Sequence, residues 1–266
     1  MDAERVRIEI ADGVADARMV RADKHNGLDG RMFTSLIAAI EQLAEEDELR
    51  AVVLSGDGPS FCAGLDFKSF TSDGGPNLLE RPDGELANLA QKVAYGWREL
   101  PVPVIAALHG ACFGGGLQIA LGADIRIAAP DTRLSAMEIV HGLIPDMSIT
   151  QTLPRLVGDD VARELTFTGR MVSGTEAAAL GLCTRVADDP FAEAMALATE
   201  IAGKSPRAVR QAKRLLQSSI APGRTPSEHF LDERTTMGSL IGSPDNIEAV
   251  GAYFDKRDPV FPDTRD

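Results

Sequence analysis

The stretch VPVIAALHGACFGGGLQIALGADIRIA, residues 102–128, decides the fold. Val102–Ala107 is a short apolar run framed by prolines, of the length of a buried strand. Gly114, Gly115 and Gly116 then allow a sharp turn with exposed N–H groups. A helix is predicted from about Leu117, and Ile125–Ala128 returns as another strand. Strand, glycine-rich turn, helix and strand in that order are the unit of an α/β fold.

The same unit lies upstream. Residues 51–54 (AVVL) form a buried strand ended by the turn SGDGP at 55–59. A helix over 30–46 precedes it, with Met32, Phe33, Leu36, Ile37, Ile40 and Leu43 on one face and Glu41, Glu45 and Glu46 on the other. Val6, Ile8 and Ile10 alternate with charged residues, and Asp12-Gly13 turns the chain into a partner strand at Ala17–Val20. Residues 71–83, rich in Gly, Pro and acids, read as a loop, and a helix is predicted from about Glu85 to Glu99. From Asp189 the pattern is almost wholly helical. The expected organisation is an α/β body over 1–188 and a helical region over 189–266.

Charge limits the function. The chain has 266 residues, with 27 Lys+Arg against 40 Asp+Glu, a net charge of −13. A field of that sign repels polyanions, which argues against nucleic acid and anionic membrane surfaces as partners. A small anionic metabolite needs only a local basic patch. The three cysteines, Cys62, Cys112 and Cys183, fit neither a disulfide framework nor a metal-ligand spacing. They read as reduced thiols, and no metal is expected. The N-terminus has no apolar signal segment, and runs such as VIAAL at 104–108 are too short to span a bilayer, so a cytoplasmic protein is expected. One run, GKSPRAVRQAKRLLQ at 203–217, carries Lys204, Arg207, Arg210, Lys213 and Arg214 without an acid. It reads as a solvated basic face.

Two glycine-containing loops follow buried strands: FCAGLD at 61–66 and GGG at 114–116. Two such loops on neighbouring strands can aim two N–H groups at one oxygen. Plain turn geometry also accounts for the glycines. No phosphate-loop motif, no complete dinucleotide-binding glycine pattern (Ile119 stands at the third position) and no nucleophile elbow occurs.

FCAGLDF at 61–67, HGACFGGGLQIALGADIRIAAPDTRL at 109–134 and MEIVHGLIPDMSITQTLPRLVG at 137–158 resemble the crotonase superfamily of enoyl-CoA hydratases and isomerases. RADKHNGL at 21–28, TGRMVSGTEAAALGLCTRV at 168–186 and YFDKRDPVF at 253–261 follow the same family in the same order, so the resemblance spans nearly the whole chain. It implies a spiral of strand-strand-helix turns with a helical C-terminal region that trimerises, trimers often pairing into hexamers. It implies an acyl-CoA thioester as substrate, coenzyme A entering with that substrate and no separate cofactor. The oxyanion hole falls on the N–H groups of Leu65 and Gly115. Lys24, His25, Ala63, Asp66, Phe67 and Lys68 match CoA-lining positions. Tyr253 and Lys256 match residues of the last helix that reach the ligand, including that of a neighbouring subunit.

The acid positions distinguish members of this family. Hydratases carry one glutamate after the glycine run and another about twenty residues later. Gln118 stands at the first position and Glu138 at the second. An amide orients by hydrogen bonds but does not exchange a proton near neutral pH. Asp146, eight residues after Glu138, matches an acid of dienoyl-CoA isomerases, which also carry an acid where Gln118 stands. The expected activity is a double-bond shift with Glu138 and Asp146 as catalytic acids and Gln118 orienting the substrate. Hydration of a 2-enoyl-CoA and acyl-CoA binding without turnover are the alternatives. His141 is kept off the catalytic set.

Overall fold

The computed structural model describes residues 4–72, 77–219 and 223–262. Strands β1 (Val6–Ala11) and β2 (Val14–Met19) form an antiparallel hairpin, in register Ala11↔Val14, around Asp12 and Gly13. Both turn residues have positive φ, which suits a tight hairpin turn. Helix α1 (Gly30–Glu45) starts at Asp29, whose side chain accepts from the Met32 N–H at 2.8 Å. Strand β3 (Ala51–Gly56) lies parallel to β2. Helix α2 (Phe67–Ser72) follows the first glycine loop. Helix α3 (Leu89–Glu99) begins at Asn88 with a reciprocal cap between Asn88 and Gln91, four residues later than the periodicity predicts.

Strand β4 (Val104–Leu108) leads into β5 (Ala111–Phe113), and α4 (Gly115–Gly122) starts directly on the glycine run. Strands β6 (Ile125–Ala128) and β7 (Arg133–Ser135) precede a 3-10 turn, Met137–His141. The short helices α5 (Ile149–Thr152) and α6 (Pro154–Val157) lead to α7 (Asp159–Thr168), β8 (Val172–Ser173), α8 (Gly174–Ala179) and β9 (Arg185–Val186). The remaining elements are helices: α9 (Pro190–Ala202), α10 (Pro206–Ser218), α11 (Pro226–Leu240) and α12 (Pro244–Asp255).

The main sheet has the order β1-β2-β3-β4-β6-β9 and is parallel from β2 onward; β5, β7 and β8 form a second sheet. Alternation within β3 and β4 serves two cores. Val52, Leu54, Val104, Ala106 and Leu108 join the core shared with α1, α3 and α4. Ala51, Val53, Ile105 and Ala107 join a second core against α9, which presents Ala194, Ala198 and Ala202 at four-residue spacing. Both faces are dry, as parallel strands require. Thus α9, the first helix of the C-terminal region, is itself a layer over the main sheet.

The basic run at 203–217 is a fastening as well as a surface, which corrects the reading of a solvated face. Lys213 is buried, and its Nζ donates to Asp124 Oδ2 at 2.7 Å and the Val102 carbonyl at 2.8 Å. Arg210 donates to the Leu49 carbonyl at 2.8 Å, and Arg214 to Thr236 Oγ1 at 3.1 Å. The Lys213 and Arg210 bonds hold α10 to the edge of the body, and the Arg214 bond ties it to α11. All three cysteines are buried and unpaired, and burial pushes Cys62 up to about 12, which keeps it a thiol. Among the described residues, no helix is long and apolar enough to cross a membrane.

Candidate active site

The two glycine loops are laced together. Cys62 and Cys112 pair as a parallel bridge: the Cys62 N–H donates to the Ala111 carbonyl at 3.0 Å, and the Phe113 N–H to the Cys62 carbonyl at 3.0 Å. On the other side, the Leu28 N–H donates to the Gly64 carbonyl at 2.8 Å, and the Asp66 N–H to the Leu28 carbonyl at 3.0 Å. Gly64 has φ +85°, and a Cβ there would lie 2.7 Å from the Phe113 carbonyl oxygen and 3.7 Å from the Gly115 nitrogen. Only glycine permits that approach. Gly115 is the first residue of α4, so its N–H has no intrahelical acceptor. Among the described residues, no group accepts from the Leu65 or the Gly115 N–H. Both residues border one cavity of about 360 Å³.

That cavity is largely apolar. Leu28, Phe33, Leu78, Ala90, Phe113 and Met147 line it, with Glu138, His141 and Asp146 as its titratable groups. Glu138 sits on the 3-10 turn after β7, and Gln118 on α4 reaches across to it: Gln118 Nε2 donates to Glu138 Oε1 at 2.6 Å. Glu138 Oε2 is buried and has no hydrogen-bond partner among the described residues. Burial is the main force on this carboxyl and pushes it above the usual carboxylate range, and Asp146 adds to the rise. Its own backbone N–H, Gln118 and His141 act in the opposite direction. Gly114, at φ +51°, keeps the space beside the carboxylate, since a Cβ there would lie 3.1 Å from Oε1. A carboxylate in such surroundings suits general-base chemistry near neutral pH.

Asp146 is exposed at the cavity wall, on the segment that leads into α5. His141 is at the rim, its ring edge-on to Phe67 at 5.2 Å and 60°. Phe67 therefore borders the apolar cavity. Ala63 borders this cavity and a second, polar groove of about 400 Å³, which Lys24, His25, Asp66 and Lys68 also line. The two spaces share Ala63, Gly64 and Leu65, so they meet at the first glycine loop. Asp66 is engaged within the chain: Arg21 Nη2 donates to its Oδ2 at 2.8 Å and so does Ser69 Oγ at 2.8 Å. Burial works against its charge, but these hydrogen bonds hold it below the usual range. Tyr253 and Lys256, at the end of α12, are exposed and border neither space within this chain.

Sequence reasoning missed two organising residues. Arg21 is buried, donates to the Gly27 carbonyl at 2.8 Å and pairs with Asp66. Asn26, at φ +54°, accepts from the Arg21 N–H and donates to the Asp57 and Ser60 carbonyls. Asparagine tolerates the left-handed region better than most residues, so Asn26 before Gly27 was the available signal. Both ends of the Gln118 amide bond the protein: Nε2 donates to Glu138 Oε1, and Oε1 accepts from the Met147 N–H.

A family model described as Enoyl-CoA hydratase/isomerase matches residues 9–264. A Bacillus subtilis (strain 168) protein named probable enoyl-CoA hydratase is 36% identical over 240 residues, covering 89% of this chain and 90% of the relative. The mitochondrial Delta(3,5)-Delta(2,4)-dienoyl-CoA isomerase of Rattus norvegicus is 32% identical over 264 residues, covering 92% of this chain and 77% of its own length. The crystal structure of an enoyl-CoA hydratase from Bacillus anthracis matches with a TM-score of 0.86 at 30% identity, covering 97% of this chain and 98% of that one. Relatives named for hydration and for isomerisation stand at similar distances, so the reaction must be argued from the site.

Proposed function

The chain belongs to the enoyl-CoA hydratase/isomerase family, and from that premise we propose that it shifts double bonds in an unsaturated acyl-CoA. The observation that carries the reading is the Gln118–Glu138 bond. It puts an amide, which neither takes nor gives a proton, where a second glutamate would complete a water-holding pair. One half-buried carboxylate then borders an apolar cavity beside two N–H groups, and Asp146 lines the same cavity.

The reaction runs as a proton relocation. The thioester oxygen accepts from the Leu65 and Gly115 N–H groups, and Glu138 removes a proton from the carbon next to the thioester. The electron pair moves into the conjugated enolate, whose oxygen the two donors stabilise; one such donor contributes about 3 kcal/mol in acyl-transfer enzymes. Asp146 delivers a proton to the distal carbon, and exchange with solvent restores both acids. Atoms and charge balance without a separate cofactor. Coenzyme A arrives as the thioester, its polar portion in the groove of Lys24, His25 and Lys68, with Ala63 at the junction.

Hydration is the second reading, and Asp146 supports it, since a water between Glu138 and Asp146 would have two carboxylate partners. Incubation with a 3,5-dienoyl-CoA and with a 2-enoyl-CoA separates the two. Growth of conjugated-diene absorbance is expected. Water addition to the 2-enoyl-CoA without any diene signal would overturn the proposal, and tight binding without either turnover would leave a non-catalytic binder.

We further read α11 and α12 as the surface that assembles copies of this chain into trimers. Phe230, Met237, Ile241, Ile247 and Phe254 are apolar and more than half exposed there. In that assembly Tyr253 and Lys256 reach a neighbouring copy's substrate.

A further inference from the structure

We propose that Gln118 is a positioning residue: its amide is a one-way strut that orients the Glu138 carboxylate and fixes its separation from the Asp146 segment. This inference deepens the proposed function and rests on Glu138 being its base.

The direction of the amide is dictated by chemistry. The Met147 N–H can only donate, and it donates to Gln118 Oε1 at 2.8 Å. The amide nitrogen must therefore face Glu138, where it donates to Oε1 at 2.6 Å. Turning the amide over would set two acceptors together and leave the buried Met147 N–H without one, and both are unfavourable. Gln118 is 1% exposed on a helix whose residues are all buried, so it cannot swing away.

Two consequences follow. Oε1 of Glu138 is held by a short, charge-assisted bond. Because Met147 adjoins Asp146, the Glu138-to-Gln118-to-Met147 chain of bonds also links the two acid-bearing segments. The distance over which a proton is relocated is then set by a neutral side chain that touches neither reacting carbon. The titratable groups that act on Glu138 are Asp146, which lines the same cavity, and His141 on its own turn.

The test compares the full-length protein with Q118M, Q118E and E138Q. The readouts are diene formation from a 3,5-dienoyl-CoA and exchange of the α-proton of a saturated acyl-CoA in D2O. Methionine keeps much of the volume and removes both bonds. For Q118M the expected result is a fall in kcat of about a hundredfold, the scale of a misplaced catalytic group, with KM little changed. Its acid limb in kcat/KM should move to higher pH, because the lost N–H favoured the carboxylate. Q118E, the check if Q118M folds poorly, should replace the alkaline plateau by a bell centred where the two carboxyls share one proton. Inactive E138Q with wild-type kcat and acid limb in Q118M, or a wild-type plateau in Q118E, overturns the strut. Full activity in E138Q instead overturns Glu138 as the base.

Discussion

Two buried charges in this molecule are treated in opposite ways. Lys213 on α10 has its ammonium bonded to Asp124 and to the Val102 carbonyl, and Asp124 in turn accepts from the Val104 N–H at 2.8 Å. Glu138 has one oxygen bonded and the other buried without a partner among the described residues. The burial cost is similar in kind. At Lys213 it is offset by bonds that join α10 to the sheet. At Glu138 it is left partly standing, and the result is a carboxyl held above its usual range on the border of a cavity. A fully partnered buried charge fastens the fold, whereas a half-partnered one is available for chemistry.

E138Q should give the largest effect on turnover and the smallest damage to the fold. Diene formation should drop by about a thousandfold, within the range of a removed general base. Stability should hold or rise, with a definite pH dependence. A group whose folded pKa is raised contributes stability present below the unfolded pKa and lost as pH rises through the folded one. Wild type should therefore weaken relative to E138Q as pH rises through the Glu138 titration. Melting temperatures of both proteins over a pH series measure this. An unchanging gap would mean that Glu138 is not strained by burial, and the contrast with Lys213 would collapse.

K213M is the mirror image. It leaves Asp124 partly buried without its cation, and removing one member of a buried pair costs about 3 kcal/mol or more. Equilibrium denaturation should show that loss, while kcat of the folded fraction stays at the wild-type level. A variant that lost kcat but not stability would make Lys213 part of the site.

Much of this contrast was hidden from sequence, for a physical reason. The order of the longer strands and helices was legible because it depends on local periodicity, as at residues 51–54 and 125–128. The two- and three-residue strands β5, β7, β8 and β9 were not, because they are too short to show a period. Glu138 was legible through a motif. Its state was not, because that depends on the Gln118 amide and on a Met147 N–H that is 29 residues further along the chain. The Arg21–Asp66 pair, 45 residues apart, was equally invisible. The basic run at 203–217 was misread because helical spacing shows which side chains share a face but not what that face covers. Lys213 and Lys204 look alike in the string, yet one is 7% exposed and the other lies in solvent.

A third lysine tests the comparison at its weak end. Lys24 is exposed on the rim of the polar groove, beside His25 and across from Lys68, with Asp23 and the Arg21-paired Asp66 as local acids. Water screens its charge, so a phosphate-bearing substrate gains about 1 kcal/mol from it at contact distance. K24A should therefore raise KM for an acyl-CoA by about fivefold and leave kcat and melting temperature unchanged. The increase should shrink as salt is added, since exposed charges are screened over about 8 Å at physiological ionic strength. Steady-state kinetics at low and high salt measure both features. A salt-independent loss would mean that Lys24 is desolvated against its ligand and belongs with Lys213. No change in KM at either salt would remove Lys24 from the binding groove.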